Sequence, residues 1–302
     1  MQQRLPKMRR APEAVAGKRV TERGIRIIET IAHYRFLTAR NIVRIVGGNE
    51  DVSHRHLQRL YHQNLISRFT LPEPSQHGEF VYFLDNSTGL RQLADTTKLD
   101  ASKLNWDEIR QHREKYAIRE THSIGQFLFI QHELMISDFH AEMEIATMNS
   151  DGSVELERWR QGPSLWNTVK DMRGKTHPHR PDAFFALRFP NAPEGQQRSN
   201  FFYEADRDTC NMTRIRQKLE AHLLFFAQGL HTEKYNIRKV RAVLIETVSA
   251  KRSEQMRNVA RDMAASLPLA SQIFWFAEFN KQPVLARRWL SSGDNRQKSL
   301  LD

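Results

Sequence analysis

Apolar residues recur at helical spacing near the start of the chain. Ile25, Ile28 and Ile31 share one face of a first helix, which Thr21 can cap. A second, shorter helix is predicted over residues 39–46, because two glycines follow it at the position where helices commonly end. The first part of the chain is therefore predicted to be helical.

A third predicted helix, 54–63, has an apolar stripe of leucines and a polar opposite face. Two strand-like runs follow it, 65–71 and 79–84, joined by a turn rich in proline, serine and glycine. Three helices followed by a two-stranded wing predict a winged helix-turn-helix domain over residues 19–95. In such a domain the third helix enters the major groove of DNA and the wing lies along the backbone.

The residues expected to contact DNA are polar side chains of the second and third helices and of the wing. They are Arg40, Asn41, Ser53, His54, Arg55, Gln58, Arg59 and Arg68. Arginines are expected to position the domain on phosphates, whereas Asn41, Gln58 and Arg55 are of the types that read base edges.

The pattern changes after a highly charged segment, 96–120, which is predicted to be a helical or irregular linker. A long apolar helix is expected over 124–148, and the period-two alternation of 154–160 predicts a strand. Two more strand-like runs follow, 180–189 and 200–206. The remaining predicted elements are a helix over 211–230, a strand over 240–247, a helix over 253–265 and a strand over 272–278.

This order predicts a mixed α/β domain over 121–290, with helix, three strands, helix and strand as its core. A flexible basic arm is expected over 1–18 and a polar tail over 291–302. The basic start of the chain has no apolar stretch behind it, so we do not expect a secretory signal there.

Charge is concentrated in the first quarter of the chain. The net charge is +11, and residues 1–70 contain fourteen Lys and Arg against five Asp and Glu. Such a concentration is expected of a surface that contacts a phosphate backbone, the alternative being a basic surface that only confers solubility. A single cysteine, Cys210, excludes an intramolecular disulfide and a cysteine-rich zinc site. Without an apolar run that could cross a bilayer, we expect a cytoplasmic protein with no membrane partner.

Two carboxylates mark the predicted α/β domain. Asp182 opens one strand and Glu204 lies in the next, at nearly the spacing seen in the PD-(D/E)xK nucleases, which this chain resembles in the order of its elements. The resemblance implies a restriction-endonuclease-like fold in which Asp182 and Glu204 hold Mg²⁺, with Glu142 or Glu144 as further ligands. The ion polarises the scissile phosphate and activates a water molecule.

Asp206 stands where such a centre has its lysine. An additional carboxylate can bind metal, so Asp206 is a candidate ligand beside Asp182 and Glu204, but it brings no positive charge. Lys218, on the following helix, is the candidate that supplies the charge. The alternatives are a degenerate centre that no longer cuts, or no relation to nucleases, with Asp182 in a turn and Asp206 near a helix cap.

His177-Pro178-His179 resembles the histidine pair of metal-dependent nicking enzymes. Those histidines project from a strand, and Pro178 cannot donate to a strand ladder. We therefore predict that this segment is a loop.

Several blocks in order resemble the replication-relaxation family of plasmid and mobile-element proteins. They are residues 21–38, 132–140, 180–183 and 202–209, the last leading into Lys218-Leu219. The family typically has a Glu-x-Asp-Arg-Gly-Thr signature, in which Asp208 of this chain replaces the glycine.

The resemblance implies a DNA-binding accessory protein of a plasmid, phage or mobile element that acts in replication, mobilisation or DNA relaxation. Its partner would be double-stranded DNA, together with other replication or mobilisation proteins. Two alternatives are a Mg²⁺-dependent endonuclease or nickase using Asp182, Glu204 and Lys218, and a transcriptional regulator whose α/β domain forms a homodimer or binds a partner. Only the endonuclease requires Mg²⁺.

Overall fold

The computed structural model describes residues 9–70, 80–116, 124–279 and 282–301, and it has a mixed α/β fold. The chain divides into two compact units, 1–141 and 142–302. Within the described residues, no helix combines the length and apolarity that a membrane span requires.

The described part of the first unit begins with a short 3₁₀ helix, Pro12–Val15, inside the segment predicted as a flexible arm, and continues with helices and short strands. In chain order these are α1 (Glu22–Tyr34), β1 (Leu37–Thr38), α2 (Ala39–Val46), α3 (Glu50–His62), β2 (Ser67–Thr70) and β3 (Phe80–Phe83). Side-chain oxygens cap all three helices: Thr21 accepts from Gly24 N at 3.3 Å, Thr38 from Asn41 N at 3.3 Å, and Asn49 from Val52 N at 3.0 Å. These caps explain where the helices begin.

The strands of the first unit form one sheet in the order β1-β3-β2, with antiparallel pairing throughout. Its hydrophobic core includes Ile28 and Ile31 of α1 and Leu57 and Leu60 of α3. The strand β1 was not predicted. The wing turn that was predicted around residues 72–78 lies outside the described residues.

The segment predicted as a helical or irregular linker, 96–120, is helical in part and packs against the first unit. Helix α4 (Ser87–Thr96) ends where the segment begins, and a 3₁₀ helix (Ala101–Lys103) and helix α5 (Trp106–Tyr116) lie within it. Leu99, Leu104 and Ile109 are buried in the core of the first unit, so this charged segment is packed as part of that unit. Residues 117–120 lie outside the described part. The boundary between the two units falls inside the long helix α6 (Ile124–Met148) rather than in a linker.

A seven-stranded sheet organises the second unit. Its members are β4 (Glu155–Gln161), β7 (Ala183–Arg188), β8 (Arg198–Asp206), β9 (Ala242–Thr247), β10 (Phe274–Glu278), β11 (Trp289–Ser291) and β12 (Gln297–Lys298). A separate two-stranded sheet consists of β5 (Asn167–Lys170) and β6 (Thr176–His179). The large sheet has the order β12-β11-β10-β9-β8-β7-β4, in which only the β8–β9 and β9–β10 pairs are parallel.

Helices of the second unit pack against one face of this sheet. They are α7 (Met212–Ala227), α8 (Leu230–Tyr235), α9 (Ala250–Ala264) and α10 (Ala270–Ile273). The predicted single helix over 211–230 is interrupted by Gly229, whose φ of +68° is in the left-handed region that glycine tolerates. Phe184, Phe202 and Phe225 are fully buried between the helices and the sheet.

The predicted polar tail is also part of the fold. Strand β12 (Gln297–Lys298) extends the sheet beyond β11, and Ser292, Ser299 and Leu300 are buried. Beyond this, the sequence pattern correctly placed β4, β7, β8, β9 and β10.

Candidate functional site

The register of two central strands brings the predicted carboxylates together. Strands β7 and β8 are antiparallel, with Ala183 opposite Tyr203. Because the residue before Ala183 then faces the residue after Tyr203, Asp182 stands opposite Glu204 at the end of the ladder. The backbone N–H of Ala205 donates to Asp182 Oδ2 at 2.9 Å, which fixes the Asp182 side chain.

Helix α7 supplies the positive charge. Asn211 caps this helix by accepting from Arg214 N at 2.9 Å. Lys218 Nζ lies 3.4 Å from Asp182 Oδ2 and also forms an ion pair with Glu204 Oε2. The side chains of Asp182 and Glu204 are 13% and 4% exposed, whereas Lys218 is 37% exposed. The three residues predicted as catalytic therefore converge, with the lysine covering two nearly buried carboxylates.

The electrostatics of the cluster follow from this burial. Burial raises the pKa of Glu204 well above its usual range, against the opposing effect of Lys218. For Lys218, burial lowers the pKa, but Asp182 and Glu204 outweigh burial and raise it overall. Lys218 is therefore a protonated ammonium that neutralises one of the two carboxylate charges.

A pair of histidines supports Glu204 from the interior. His222 lies one turn after Lys218 on α7, and its Nε2 is 2.6 Å from Glu204 Oε1. His179 Nε2 is 3.0 Å from His222 Nδ1, and the His179 ring stacks on Phe225 at 4.2 Å. The tautomers consistent with an ionised Glu204 have His179 donating to His222 and His222 donating to Glu204.

Both histidines are neutral near pH 7. Burial, followed by the charge of Lys218, lowers the pKa of His222 from 6.5 to about 3. Burial, followed by His222, also lowers the pKa of His179. The pair therefore holds Glu204 by hydrogen bonding without adding a charge.

The sequence did not identify these two histidines. The prediction that residues 177–179 form a loop is wrong, because they belong to β6, which pairs with β5 from Thr176 to His179. In a two-stranded sheet each strand is an edge strand, where proline is tolerated. The available signal for His222 was its spacing of four residues from Lys218 on one helix.

Asp206, the third predicted metal ligand, is held elsewhere. Arg252, in the first turn of α9, donates from Nε to Asp206 Oδ2 at 2.8 Å and from Nη2 to Oδ1 at 3.1 Å. The Thr247 hydroxyl also donates to Oδ2, at 2.9 Å. Side-chain exposure is 8% for Asp206 and 5% for Arg252. The structure thus pairs Asp206 with an arginine instead of joining it to Asp182 and Glu204.

Arg252 also fixes the turn that leads from β8 into α7. It donates to the Cys210 carbonyl at 2.6 Å and pairs with Asp208 Oδ1 at 3.0 Å. Asp208 has a φ of +58°, in the left-handed region that glycine favours. The turn therefore has a backbone conformation that glycine favours, although an aspartate occupies this position.

The chemistry of Asp182 and Glu204 fits a hard divalent cation, which prefers carboxylate oxygens. In the described part of the second unit, no three His, Cys, Asp or Glu side chains bring ligand atoms within 4.8 Å of one another. A cation would therefore rest on two protein carboxylates and would compete with the Lys218 ammonium. Glu142, named as a further ligand, instead pairs with Arg287 at 3.2 Å.

In the first unit, the predicted DNA-contact residues divide by exposure. Arg40, His54 and Arg55 are exposed, whereas Gln58, Arg59 and Arg68 are half-buried. The guanidinium of Arg68 lies 4.1 Å from the centroids of the Tyr61 and Phe80 rings.

Asn41 and Ser53 were predicted to contact DNA, but the structure differs, because both side chains are buried. Asn41 Nδ2 donates to Asp138 Oδ1 at 2.6 Å, and Ser53 Oγ accepts from Arg23 Nη2 at 2.6 Å. These partners hold the two side chains inside the unit, so neither is placed to contact DNA.

We predict that Arg252→Met lowers the free energy of unfolding by about 3–5 kcal/mol, because it leaves Asp206 as a buried unpaired charge. Asp206→Asn combined with Arg252→Met should cost less than the single change, since the uncompensated charge is then absent. The half-exposed Arg261 of the same helix provides the control, and Arg261→Met should have an effect of less than about 1 kcal/mol. Urea unfolding of the three variants tests this, and a double variant no more stable than Arg252→Met would contradict it.

Acid should destabilise the second unit through His222. Between pH 6.5 and about 3 the unfolded chain binds a proton at this residue that the folded chain does not. The contribution of neutral His222 to the free energy of unfolding should therefore be fully present above pH 6.5. Below that pH the free energy of unfolding should fall by about 1.4 kcal/mol per pH unit. His222→Gln, which can still donate to Glu204, should reduce this slope in urea unfolding between pH 7.5 and 5. His177→Gln, at a half-exposed histidine, is the control, and equal slopes in both variants would contradict the prediction.

The family model of replication-relaxation proteins matches residues 28–240, which is more than half of the chain. No curated protein and no solved structure matches the chain. The match spans α2 and α3 of the first unit and, in the second unit, Asp182, Glu204 and Lys218. Membership suggests a role in the replication or mobilisation of mobile elements. The chain belongs to the replication-relaxation family.

Proposed function

We propose that this protein binds duplex DNA through its first unit, as a winged helix-turn-helix, in the replication or mobilisation of a mobile element. The observation that carries the proposal is the element order α1-β1-α2-α3-β2-β3 with the sheet order β1-β3-β2. In a winged helix the short strand between the first two helices joins the sheet of the wing, as β1 does here by pairing with β3. The partner β3 belongs to the hairpin that would form the wing.

The surface of α3 has the chemistry that phosphate and base contacts require. Arg55 is exposed, with its Nε donating to the Asp51 carbonyl at 3.3 Å, and Arg59 follows one turn later. His54 is 46% exposed and accompanies them on the polar side of the helix. Leu57 and Leu60 fix the opposite side in the core, so the helix presents these basic side chains outward.

Arg55→Ala combined with Arg59→Ala should weaken duplex binding and reduce its salt dependence. Each lost phosphate contact lowers the slope of log K against log salt by about 0.9, so the double variant should lower it by about 1.8. Fluorescence anisotropy with duplex DNA at several salt concentrations measures both quantities. A control that removes the same charge is Arg173→Ala with Lys175→Ala, at exposed positions of the second unit. The same affinity and slope in wild type and the Arg55/Arg59 variant would refute the winged-helix assignment.

A second candidate function is Mg²⁺-dependent cleavage of DNA. It is favoured by the convergence of Asp182, Glu204 and Lys218 where β7, β8 and α7 meet. The sheet also supports it, because three antiparallel strands, β4, β7 and β8, are followed by β9 parallel to β8, as in restriction-endonuclease-like domains. Asp182 and Glu204 would hold the ion, which when bound would supply charge neutralisation at the phosphate and a more acidic water.

Groups of the protein itself orient the two carboxylates that would hold the ion. His222 fixes one oxygen of Glu204, and the Ala205 N–H fixes Asp182, so the two carboxylates are oriented in advance. Lys218 now neutralises one of their two charges and would have to yield part of its contact to a cation. This competition favours DNA binding as the main proposal, because the ion pair fills the centre that cleavage would use.

Incubation of supercoiled and linear DNA with Mg²⁺ or Mn²⁺ tests the second candidate. If the centre cuts, Asp182→Ala should abolish nicking while leaving duplex affinity unchanged. Calcium, which binds carboxylate oxygens, should raise the melting temperature of Lys218→Met more than that of wild type, because the competing ammonium is gone. Absence of cleavage by the wild-type protein with both metals would eliminate the endonuclease and leave the DNA-binding proposal intact.

A further inference from the structure

A basic cavity lies at the other end of β8 from the carboxylate centre. It has a volume of about 490 Å³. Its walls are the segment that follows β7, the first residues of β8 and the segment that precedes β9. Four cationic residues line it, Arg198, Arg238, Lys239 and Arg241, together with Leu301, and among the residues that the structure describes no Asp or Glu does.

Some cations of this cavity form ion pairs or hydrogen bonds with neighbouring side chains, and others do not form ion pairs within the described residues. Arg198 pairs with Glu157, and Arg241 Nη1 lies 3.5 Å from Ser199 Oγ. Arg238 and Lys239 are exposed, and neither forms a side-chain ion pair with any residue that the structure describes. These two adjacent side chains therefore give the cavity a surplus of positive charge.

The walls are held by hydrogen bonds that do not involve those two charges. Arg241 N donates to the Asn200 carbonyl at 2.8 Å, and Asn200 Nδ2 donates to the Lys239 carbonyl at 3.1 Å. On the opposite side, Phe189 N donates to the Gln197 carbonyl at 2.9 Å, which closes the loop between β7 and β8. Backbone and amide hydrogen bonds thus form the walls of the cavity. A ligand could contact the cations without breaking these hydrogen bonds.

The size and lining of the cavity indicate what would bind. A volume of several hundred Å³ accommodates a nucleotide-sized group, whereas a duplex presents a convex surface that cannot enter. Phe189 is half-buried and lines the cavity, which also contains Gln196 and Ser199 as neutral polar groups. Cations combined with an aromatic face are typical of sites that bind single-stranded nucleic acid, because phosphates meet the charges and bases stack on the ring.

We propose that this cavity binds a nucleotide of single-stranded nucleic acid, with Arg238 and Lys239 on its phosphates and Phe189 against its base. Asn200 and Glu204 are separated by four residues of β8, a distance of about 13 Å. A bound strand would therefore be anchored within a few nucleotides of the carboxylate centre, on the same unit. This site goes beyond duplex binding by α3 and does not depend on it.

The test compares binding of fluorescein-labelled oligo(dT) by the full-length chain and its variants. Arg238→Gln combined with Lys239→Gln should weaken binding and lower the salt slope by about 1.4, at 0.7 per phosphate contact of a single strand. The control is again Arg173→Ala with Lys175→Ala, which removes one arginine and one lysine from the same unit outside the cavity. Because all four positions are exposed, the melting temperature should be the same in both variants.

Phe189→Leu separates stacking from charge. It should weaken oligo(dT) binding at least about fivefold and leave the binding of an abasic oligomer of equal length unchanged. Arg238→Gln combined with Lys239→Gln should weaken the binding of both oligomers. A Phe189→Leu effect of equal size on the abasic oligomer would overturn the stacking assignment.

Two further results would overturn the proposal as a whole. One is the same oligo(dT) affinity and salt slope for the cavity variant and the Arg173/Lys175 control. The other is loss of inorganic pyrophosphate binding in the cavity variant with unchanged oligo(dT) affinity, which would identify free phosphate compounds as the ligands. Arg55→Ala with Arg59→Ala should weaken duplex binding far more than oligo(dT) binding, so failure of the winged-helix proposal remains distinguishable.

Discussion

The ion pair of Lys218 with Asp182 and Glu204 is the interaction on which the second unit depends. Glu204 is almost fully buried, and a buried carboxylate without a partner is destabilised by several kcal/mol. Lys218 compensates it from α7, while His222, from the next turn of the same helix, satisfies its other oxygen. The requirements of this one carboxylate therefore fix both the position and the rotation of α7 over the sheet.

The opposite face of the sheet contains a second buried charge. Glu246 of β9 is fully buried, accepts from Tyr203 Oη at 2.7 Å and pairs with Arg287, which also reaches Glu142 at 3.2 Å. Tyr203 and Glu204 are adjacent on β8 and point to opposite faces. Polar networks thus lie on both faces of the sheet. They restrict the strands to one register, because a slip of one residue would move the polar side chains of a strand to the opposite face, away from their partners.

The sequence predicted those features that depend on local pattern. Strands β7 and β8, helix α7 and the convergence of Asp182, Glu204 and Lys218 follow from alternation, helix periodicity and a motif spacing. The strand β1, with only two residues, is too short to show alternation, and it forms because β3 offers an edge. The partners of Asn41, Ser53 and Asp206 are distant in the chain, so their burial could not be read from neighbouring residues. His179 was missed for the same reason, because its role depends on a contact with α7.

Asp208 gives this chain a property that the glycine of the family signature would not give it. A glycine holds the left-handed turn by its own conformational freedom, independently of the solvent. Asp208 holds it with an ion pair to Arg252, and its side chain is 56% exposed, so dissolved salt screens the attraction. Ionic strength therefore acts on the turn that leads into α7, and it is also the variable that governs how strongly a basic protein holds nucleic acid.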